Sequence, residues 1–336
     1  MQLCGAVGGG YHRLVLRVIE VSAAGMVVAG GDELARKHDA GVLRWIDVQG
    51  QTIAEMEKLK NEFGLHPLAV EDCLSFDQRP KVNDYPEHLF LVIHGFTCPS
   101  GDPSEVEIHE LHCFLLDRTV ITVHERAIPA LEDVYRRAER DHAFCSRGAD
   151  MMLHSIVDAV VDANFPLLDL LSDALDEVEE QVLARLSRND LTRIFTLKKT
   201  LVTMRRTLSP ERDVFAILSK RGDPRISEKA ALYFRDVYDH LSRIYEHIDT
   251  GRDLLGNALD AYLSSVSNRT NEIMKRLTIM SAIFLPMGFV VGFFGQNFTR
   301  LPWNALWFEL SAVSLLIAIP ILMVIWFYRL KWLGDH

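Results

Sequence analysis

Residues 277–298 read LTIMSAIFLPMGFVVGFFGQNF, an apolar run long enough to form a membrane-spanning helix. A second apolar run, Leu306 to Tyr328, follows after a short loop. Between Leu277 and Tyr328 the only acidic or basic side chains are Arg300 and Glu309. A bilayer core requires roughly 20 consecutive apolar residues for each spanning helix. The sequence therefore predicts a membrane protein that ends in a hairpin of two spans.

The charges around this hairpin predict its orientation. Basic residues accumulate on the cytoplasmic side of a membrane, and here they flank the hairpin while its loop carries Arg300 alone. Both termini are therefore predicted to be cytoplasmic. The five cysteines lack any CxxC spacing and indicate reduced thiols, as in a cytosolic compartment. The basic flanking residues are Arg269, Lys275, Arg276, Arg329 and Lys331.

The net charge of the chain indicates which kinds of ligand it is suited to bind. The chain has 336 residues and a formal net charge of −10. An acidic chain is a poor partner for the phosphates of nucleic acid, so no nucleic-acid ligand is expected. It is compatible with cations as small partners. The sequence has no Gly-rich phosphate loop, nucleophile motif or paired catalytic carboxylates, and we do not expect an enzyme.

Ahead of the hairpin, two regions differ in pattern. Residues 1–148 alternate short apolar strands with helical segments and predict an α/β domain. Strands are expected at 14–19, 41–48, 88–94, 111–116 and 119–124, and helices at 52–63, 67–74 and 128–143. Residues 149–276 lose the strand pattern and predict a stalk of long helices, at 151–186, 190–208 and from 226 onward, with Pro210, Gly222 and Pro224 as breaks.

The last of these helices has no clear end before the membrane. A helix from residue 226 to residue 294 would be on the order of 100 Å long, at 1.5 Å per residue. One hydrophobic core cannot cover such a rod, so it needs neighbours, most simply copies of the same chain.

One face of the first span is small or polar rather than apolar. In helical register this stripe ends at Gly295, Gln296 and Asn297. Close packing of helices explains such a stripe, and so does a hydrated pore. Amides at both ends favour the pore, which two helices cannot enclose without an oligomer. The stripe comprises Asn271, Met274, Thr278, Ser281, Leu285, Gly288 and Gly292.

Three motifs identify a family resemblance. Residues 268–298 resemble the pore helix of the CorA family of divalent-cation transporters, as do HPLAVED at 66–72 with QRPK at 78–81, and FRDVYDH at 234–240. The resemblance covers nearly the whole chain. It implies an α+β membrane protein in a funnel-shaped homopentamer, with residues 277–336 as the pore domain and 295–305 as the outer loop. It also implies a multi-pass protein of the bacterial inner (plasma) membrane.

The resemblance carries roles to individual residues. Gly295 and Asn297 match the first and third residues of the family's Gly-Met-Asn signature, which would hold a hydrated cation. Asp236 matches an acid that binds regulatory Mg²⁺ between subunits, and its partner acid falls near Glu87. Pore-facing or gating positions fall on Asn271, Met274, Leu277, Leu285, Gly288 and Gly292.

Gln296 departs from the signature, because it stands where the family has Met. A Gly-X-Asn variant is similar to the ZntB zinc-transporting branch. Oxygen donors suit hydrated Mg²⁺, whereas Zn²⁺ prefers nitrogen and sulfur, which the stripe offers only at Met274. The leading hypothesis is a divalent-cation transporter for Mg²⁺, with Co²⁺ and Ni²⁺ as further candidates. A zinc transporter, with or without proton coupling, and a non-transporting membrane scaffold or sensor are the alternatives.

Two further groups of residues resemble metal sites but have an ordinary structural explanation. A recurring acidic face on the predicted helix 151–186 suggests a solvated surface, with cation attraction as the alternative. The run from His109 to Cys113 looks like a zinc motif. On a strand, however, His109 and His112 point to opposite faces, which argues against a shared metal. The acidic face comprises Asp158, Asp162, Asp169, Asp173, Asp176 and Glu180.

Overall fold

The structure is a computed structural model that describes residues 15–22, 25–30, 42–184, 188–220, 222–296, 302 and 305–332. The chain divides into two compact units, Met1–Ala258 and Leu259–His336. The three-part division suggested by the sequence, with boundaries after residues 148 and 276, stays a prediction.

Seven strands form one mixed sheet in the order β2-β1-β3-β7-β6-β5-β4. β3 and β7 are parallel, and the other neighbouring pairs are antiparallel. Five strands lie where the sequence predicts them, within a few residues. The two edge strands, β2 and β4, are absent from the predicted strands. The strands are β1 Val15–Ser22, β2 Gly25–Gly30, β3 Leu43–Gln49, β4 Lys81–Asp84, β5 Leu89–Thr97, β6 Glu107–Leu115 and β7 Thr119–His124.

Helices cover both faces of this sheet. On one face, Met56 and Val70 pack into a core with Ile46, Phe90 and Phe114. Side chains alternate along a strand, so Trp45 faces the other way, where its ring lies 5.3 Å from that of Tyr135. The helices are α1 Ile53–Phe63, α2 Pro67–Leu74, α3 Pro129–Ala138, α4 His142–Cys145, α5 Ala149–Asp162, α6 Phe165–Ala184, α7 Arg188–Leu218, α8 Glu228–Phe294 and α9 Leu306–Arg329.

Local sequence explains where the first helix begins and ends. Thr52 and Glu55 form a capping box, in which each side chain bonds the backbone N–H of the other residue. Gly64 ends α1 in the left-handed conformation, with φ 66°, which glycine adopts without the steric cost of a Cβ. The predicted bounds of α1 and α2 are accordingly correct to one residue.

The predicted helix at 128–143 is wrong, because the chain forms two helices there. α3 ends at Ala138, and Asp141 starts α4. The backbone of Asp141 is extended, and its carboxylate accepts a hydrogen bond from the N–H of Phe144. A short polar side chain that caps a new helix interrupts the old one.

The predicted helix at 151–186 is also divided, and the reason lies in the sheet. β4 pairs with β5 only as far as Val92, which leaves the rest of that edge without a strand. The N–H of His94 donates to Oε2 of Glu211 at 3.2 Å, and the N–H of Phe96 donates to Oδ1 of Asn164 at 3.3 Å. Asn164 lies in the turn between α5 and α6, so this turn helps to satisfy the edge.

Pro210 does not end a helix, contrary to expectation. It lies inside α7, although proline removes one backbone donor from the ladder. The flanking residues Leu208, Val214 and Phe215 are each no more than 3% exposed. Burial of these apolar side chains offsets the lost hydrogen bond.

α8 runs without a break from Glu228 to Phe294, over 67 residues. Three described segments are long and apolar enough to cross a membrane: Ala149–Gln181, Glu228–Phe294 and Leu306–Arg329. The most apolar windows of the latter two are only 11% and 6% buried, whereas that of Ala149–Gln181 is 61% buried. The apolar side chains of Ala149–Gln181 are therefore largely buried in the protein core.

Candidate cation sites

The stripe expected to line a pore lies along one side of α8. At 3.6 residues per turn, its helical members from Asn271 to Gly292 fall within an arc of roughly 120°. All of them are exposed in the single chain, including Leu277 at 60% and Leu285 at 77%. Asn297 lies outside the described residues.

The opposite side of the same helix segment is covered. Ile279 and Val290 are 7% and 6% exposed, and they lie roughly half a turn away from the stripe. The ring of Phe294, also on this side, lies 5.0 Å from that of Phe308 in α9. Packing within the chain thus uses one side of the helix and leaves the polar side uncovered.

The glycines of the stripe are not explained by packing inside this chain. A Cβ added at Gly288 or Gly292 would meet no atom within 4 Å. By contrast, a Cβ at Gly251, nearer the N-terminus of α8, would lie 2.9 Å from a methyl group of Leu175. Gly251 is therefore closely packed against the side chains of Leu175 and Leu201. Gly288 and Gly292 instead leave room for something outside the chain.

The polar side chains of the stripe carry oxygen atoms, which are suitable ligand atoms for a cation. The hydroxyl of Thr278 donates to the carbonyl of Met274 at 2.8 Å, which leaves lone pairs on the hydroxyl oxygen. Gly295 and Gln296 follow the last turn of α8, and the N–H of Gly295 donates to the carbonyl of Val291 at 2.9 Å. Hydroxyl and amide oxygens of this kind suit a hydrated hard cation.

A second group of possible ligands lies in the first unit, where α5 meets α8. Asp158, Asp162 and His240 each offer a ligand atom, and these atoms lie within 4.8 Å of one another. Nδ1 of His240 is 2.8 Å from Oδ1 of Asp162. On its other side, Nε2 of His240 is 3.6 Å from Oδ2 of Asp236. We call Asp158, Asp162, Asp236 and His240 the α5–α8 cluster.

Electrostatics in this cluster favour a cation. Burial and the neighbouring carboxylates of Asp162 and Asp236 raise the pKa of Asp158 to about 6, although His240 opposes the shift. Burial lowers the pKa of the adjacent His154. A bound cation would relieve the repulsion between the acids. Three carboxylates suit Mg²⁺, and the imidazole also admits softer ions such as Co²⁺, Ni²⁺ or Zn²⁺.

The structure thus groups residues that the sequence left apart. Asp162, Asp169, Asp173, Asp176 and Glu180 are exposed, in agreement with a solvated acidic face. The fold also places Asp158 and Asp162 beside His240. The available signal was the four-residue spacing within both Asp158/Asp162 and Asp236/His240, which puts each pair on one helix face. Glu87 is exposed between β4 and β5 and is not among the ligand groups found within the described residues.

The apparent zinc motif behaves as expected for a strand. Nε2 of His109 lies 2.6 Å from Oγ1 of Thr97. Nδ1 of His112 lies 3.2 Å from Sγ of Cys73, and its Nε2 lies 2.5 Å from Glu110. The two imidazoles therefore have separate partners, and within the described residues they do not join a three-ligand group.

Comparisons with known proteins agree on one family. The family described as "CorA-like Mg2+ transporter protein" matches residues 40–329. The chain is 36% identical over 300 residues to the cobalt/magnesium transport protein CorA of Thermotoga maritima, covering 88% of this chain and 85% of that protein.

Two solved structures share the fold. The complete structure of the CorA magnesium transporter from Methanocaldococcus jannaschii matches with a TM-score of 0.83 and 23% identity, covering 95% of this chain and 99% of that one. The cytoplasmic domain of ZntB from Vibrio parahaemolyticus matches with a TM-score of 0.64 and 12% identity, covering 76% and 99%. The resemblance drawn from the sequence motifs is confirmed: this chain belongs to the family of CorA-like Mg²⁺ transporter proteins.

Proposed function

We propose that this chain forms a homopentameric membrane pore that passes hydrated divalent cations, with Mg²⁺ as the preferred ion. Family membership supports transport and agrees with the expectation that the protein is not an enzyme. The single observation that carries the pore is the uncovered polar stripe of α8. Ile279 and Val290 on its opposite side are buried, while Asn271, Ser281 and Gly292 are exposed in the single chain.

An oligomer supplies what is missing around that stripe. Exposed polar side chains are costly against lipid, and small residues let helices approach closely, so the stripe is suited to contact with water or with other copies of the chain. A ring of identical chains provides both, because each copy would cover its neighbours and turn its stripe to a central channel. Two spans per subunit, the end of α8 and α9, would then place both termini in the cytoplasm of a bacterial plasma membrane.

Along this channel, oxygen donors would take the ion in its hydrated form. Asn297 and Gly295 would receive it at the outer mouth, as the family signature implies. It would then pass Gly292, Gly288 and Leu285, and leave past Met274 and Asn271. Mg²⁺ gives up its waters reluctantly, so a lining that binds water rather than the bare ion is suited to it.

The α5–α8 cluster would sense the cytoplasmic ion concentration. Asp236 is the residue that the resemblance marks as a regulatory ligand, and Asp158, Asp162 and His240 surround it from the same chain. Glu87 of a neighbouring copy would complete the site. If Mg²⁺ binds this site better in the closed state, a high internal concentration shifts the protein towards closure.

Zinc transport is the second candidate, and Gln296 is the observation that favours it. The amide replaces the methionine of the signature at the outer mouth, so the preference for Mg²⁺ is not fixed there. The fold shared with the ZntB cytoplasmic domain is compatible with this candidate but does not select it.

A flux assay distinguishes these functions. Purified protein in liposomes would be tested with Mg²⁺, Co²⁺, Ni²⁺ and Zn²⁺, with and without a pH gradient. Uptake of Mg²⁺ without a gradient supports the proposed pore, and Zn²⁺ uptake that depends on the gradient supports the alternative. Absence of flux for every ion would leave only a membrane scaffold or sensor.

A further inference from the structure

An open cleft of about 810 Å³ lies between α7 and the β5–β6 side of the sheet. It shares no residue with the α8 stripe or the α5–α8 cluster. One wall is a single face of α7, because its lining residues recur three or four positions apart. These residues are Val202, Thr203, Arg206, Thr207 and Pro210.

Three arginines reach this cleft from three different parts of the fold. Arg79 follows α2, Arg126 follows β7, and Arg206 lies on α7. All three are exposed. Within the described part of the chain, none of their side chains forms a hydrogen bond or an ion pair.

Several arginines elsewhere in this unit form ion pairs with acids. Arg17 binds Asp47 and Glu132, and Arg193 binds Glu177. Acids outnumber bases in the sequence by 46 to 36, so carboxylate partners are abundant. Three guanidinium groups without acidic partners among the described residues nevertheless line the same cleft.

The inner end of the cleft adds a buried polar atom without a partner. His94 is 7% exposed, and its Nδ1 has no hydrogen-bond partner in the described structure. Burial raises the pKa of the neighbouring Glu211 to about 8, so this carboxyl is mostly neutral at pH 7 and adds little negative charge. Glu110 is engaged by Nε2 of His112 and by the N–H of Gln78.

The remaining lining is of mixed character. Asp77 and Glu125 present carboxylates beside the arginines, and Phe76 and Ile108 present apolar surface. A single guanidinium group can donate two parallel hydrogen bonds to the oxygens of a phosphate. Carboxylates bind Mg²⁺ directly or through its waters. A polyphosphate with its Mg²⁺ carries both kinds of charge, and an organic group attached to it could contact Phe76 and Ile108.

We propose that this cleft binds a phosphorylated small ligand, a polyphosphate in its Mg²⁺-bound form, through Arg79, Arg126 and Arg206. The three guanidinium groups would hold the phosphate oxygens, and Asp77 would face the bound Mg²⁺. Such a ligand would be a second cytoplasmic regulator of the protein, separate from free Mg²⁺.

Equilibrium binding to the purified full-length protein in detergent tests this site. ATP, pyrophosphate and orthophosphate would be titrated at low salt, each with and without Mg²⁺. Saturable, Mg²⁺-dependent binding of ATP or pyrophosphate is expected. Stronger binding of ATP identifies a nucleotide, and equal binding identifies an inorganic polyphosphate. Both results support the site.

Substitutions of residues that line the cleft test whether the ligand binds there. Arg126→Gln and Arg206→Gln should each weaken binding about tenfold, the effect of losing a hydrogen bond to a charged group. Val202→Glu, which adds a carboxylate to an exposed position of the same wall, should abolish it. Arg140→Gln is the matched control, because Arg140 is exposed and lies outside the cleft.

Size-exclusion chromatography and circular dichroism would check that each variant is folded. The proposal is overturned if no probe binds saturably, if Mg²⁺ does not strengthen binding, or if Arg140→Gln weakens binding as much as Arg126→Gln.

Discussion

Nδ1 of His240 lies 2.8 Å from Oδ1 of Asp162, and this contact connects α8 to α5 at the cluster of acids around Asp236. His240 is four residues after Asp236 on α8, and Asp162 is four residues after Asp158 on α5. Two helix faces, each with two ligand groups, therefore meet at one point. The helix α8 that carries Asp236 and His240 is the same helix that carries the stripe.

Removal of one carboxylate from this cluster should weaken the response to Mg²⁺. A ligand that binds only the folded state raises the melting temperature, so Mg²⁺ should stabilise the wild type more than it stabilises Asp162→Asn. Asp236→Ala should likewise reduce inhibition of uptake by internal Mg²⁺. Thermal denaturation with increasing Mg²⁺ measures the first effect, and liposome uptake measures the second.

Asp176→Asn is the control for both measurements, because Asp176 is an exposed acid of α6 outside the cluster. An equal Mg²⁺ response in Asp162→Asn, Asp176→Asn and the wild type would remove the cluster from the mechanism.

Glu211 should make stability depend on pH. Burial raises its pKa from 4.5 to about 8, so the folded state favours the neutral carboxyl. This contribution to stability is fully present below about pH 4.5 and is lost as the pH rises towards 8. The upper limit of the loss is roughly 5 kcal/mol, from 1.36 kcal/mol per pKa unit.

Glu211→Gln should abolish this dependence, since the amide cannot ionise and still offers an oxygen to the N–H of His94. Melting temperatures between pH 5 and pH 9 would therefore be flatter for this variant than for the wild type. Glu179→Gln, at an exposed position of α6, should retain the wild-type slope. Identical slopes in all three proteins would contradict the assignment to Glu211.

Enlarging a glycine of the stripe should block transport without disturbing the chain's own packing. A Cβ at Gly292 meets no atom within 4 Å, so Gly292→Leu should fold normally. Its side chain would project into the proposed channel, and we expect uptake to fall at least about tenfold, a barrier increase of about 1.4 kcal/mol.

Val291→Leu is the matched control, because Val291 is 56% exposed but lies about 100° from Gly292 around α8, outside the stripe. Normal uptake by Gly292→Leu in liposomes would show that the stripe does not line the ion path.

Variants of the signature residues should distinguish the passage of ions from the preference for one ion over another. Asn297→Ala should abolish uptake, because it removes the amide proposed to bind the ion's water shell. Gln296→Met restores the family residue and should alter the ratio of Mg²⁺ to Zn²⁺ uptake while flux continues. Competition between the two ions in liposomes measures this ratio. An unchanged ratio would exclude Gln296 as a determinant of preference, and undiminished flux in Asn297→Ala would exclude the signature ring.

The sequence was informative where local patterns decide structure. The apolar pattern predicted α1 to within one residue of its observed bounds, and the apolar run of residues 277–298 predicted the membrane segment. Prediction was wrong where a side-chain contact or burial outweighs the helical pattern. Asn164 and Asp141 bond backbone groups and divide helices, and burial around Pro210 keeps α7 continuous. None of these contacts leaves a periodic signal.

The sequence by itself determined the family, the long helix α8 and its polar stripe, because helical periodicity and motif order are written in consecutive residues. Only the tertiary structure brought Asp158 and Asp162 to His240, left Gly288 and Gly292 without intrachain neighbours, and gathered Arg79, Arg126 and Arg206 at one cleft. These relationships join segments far apart in the chain. They depend on how the sheet and helices pack, which no single stretch of sequence specifies.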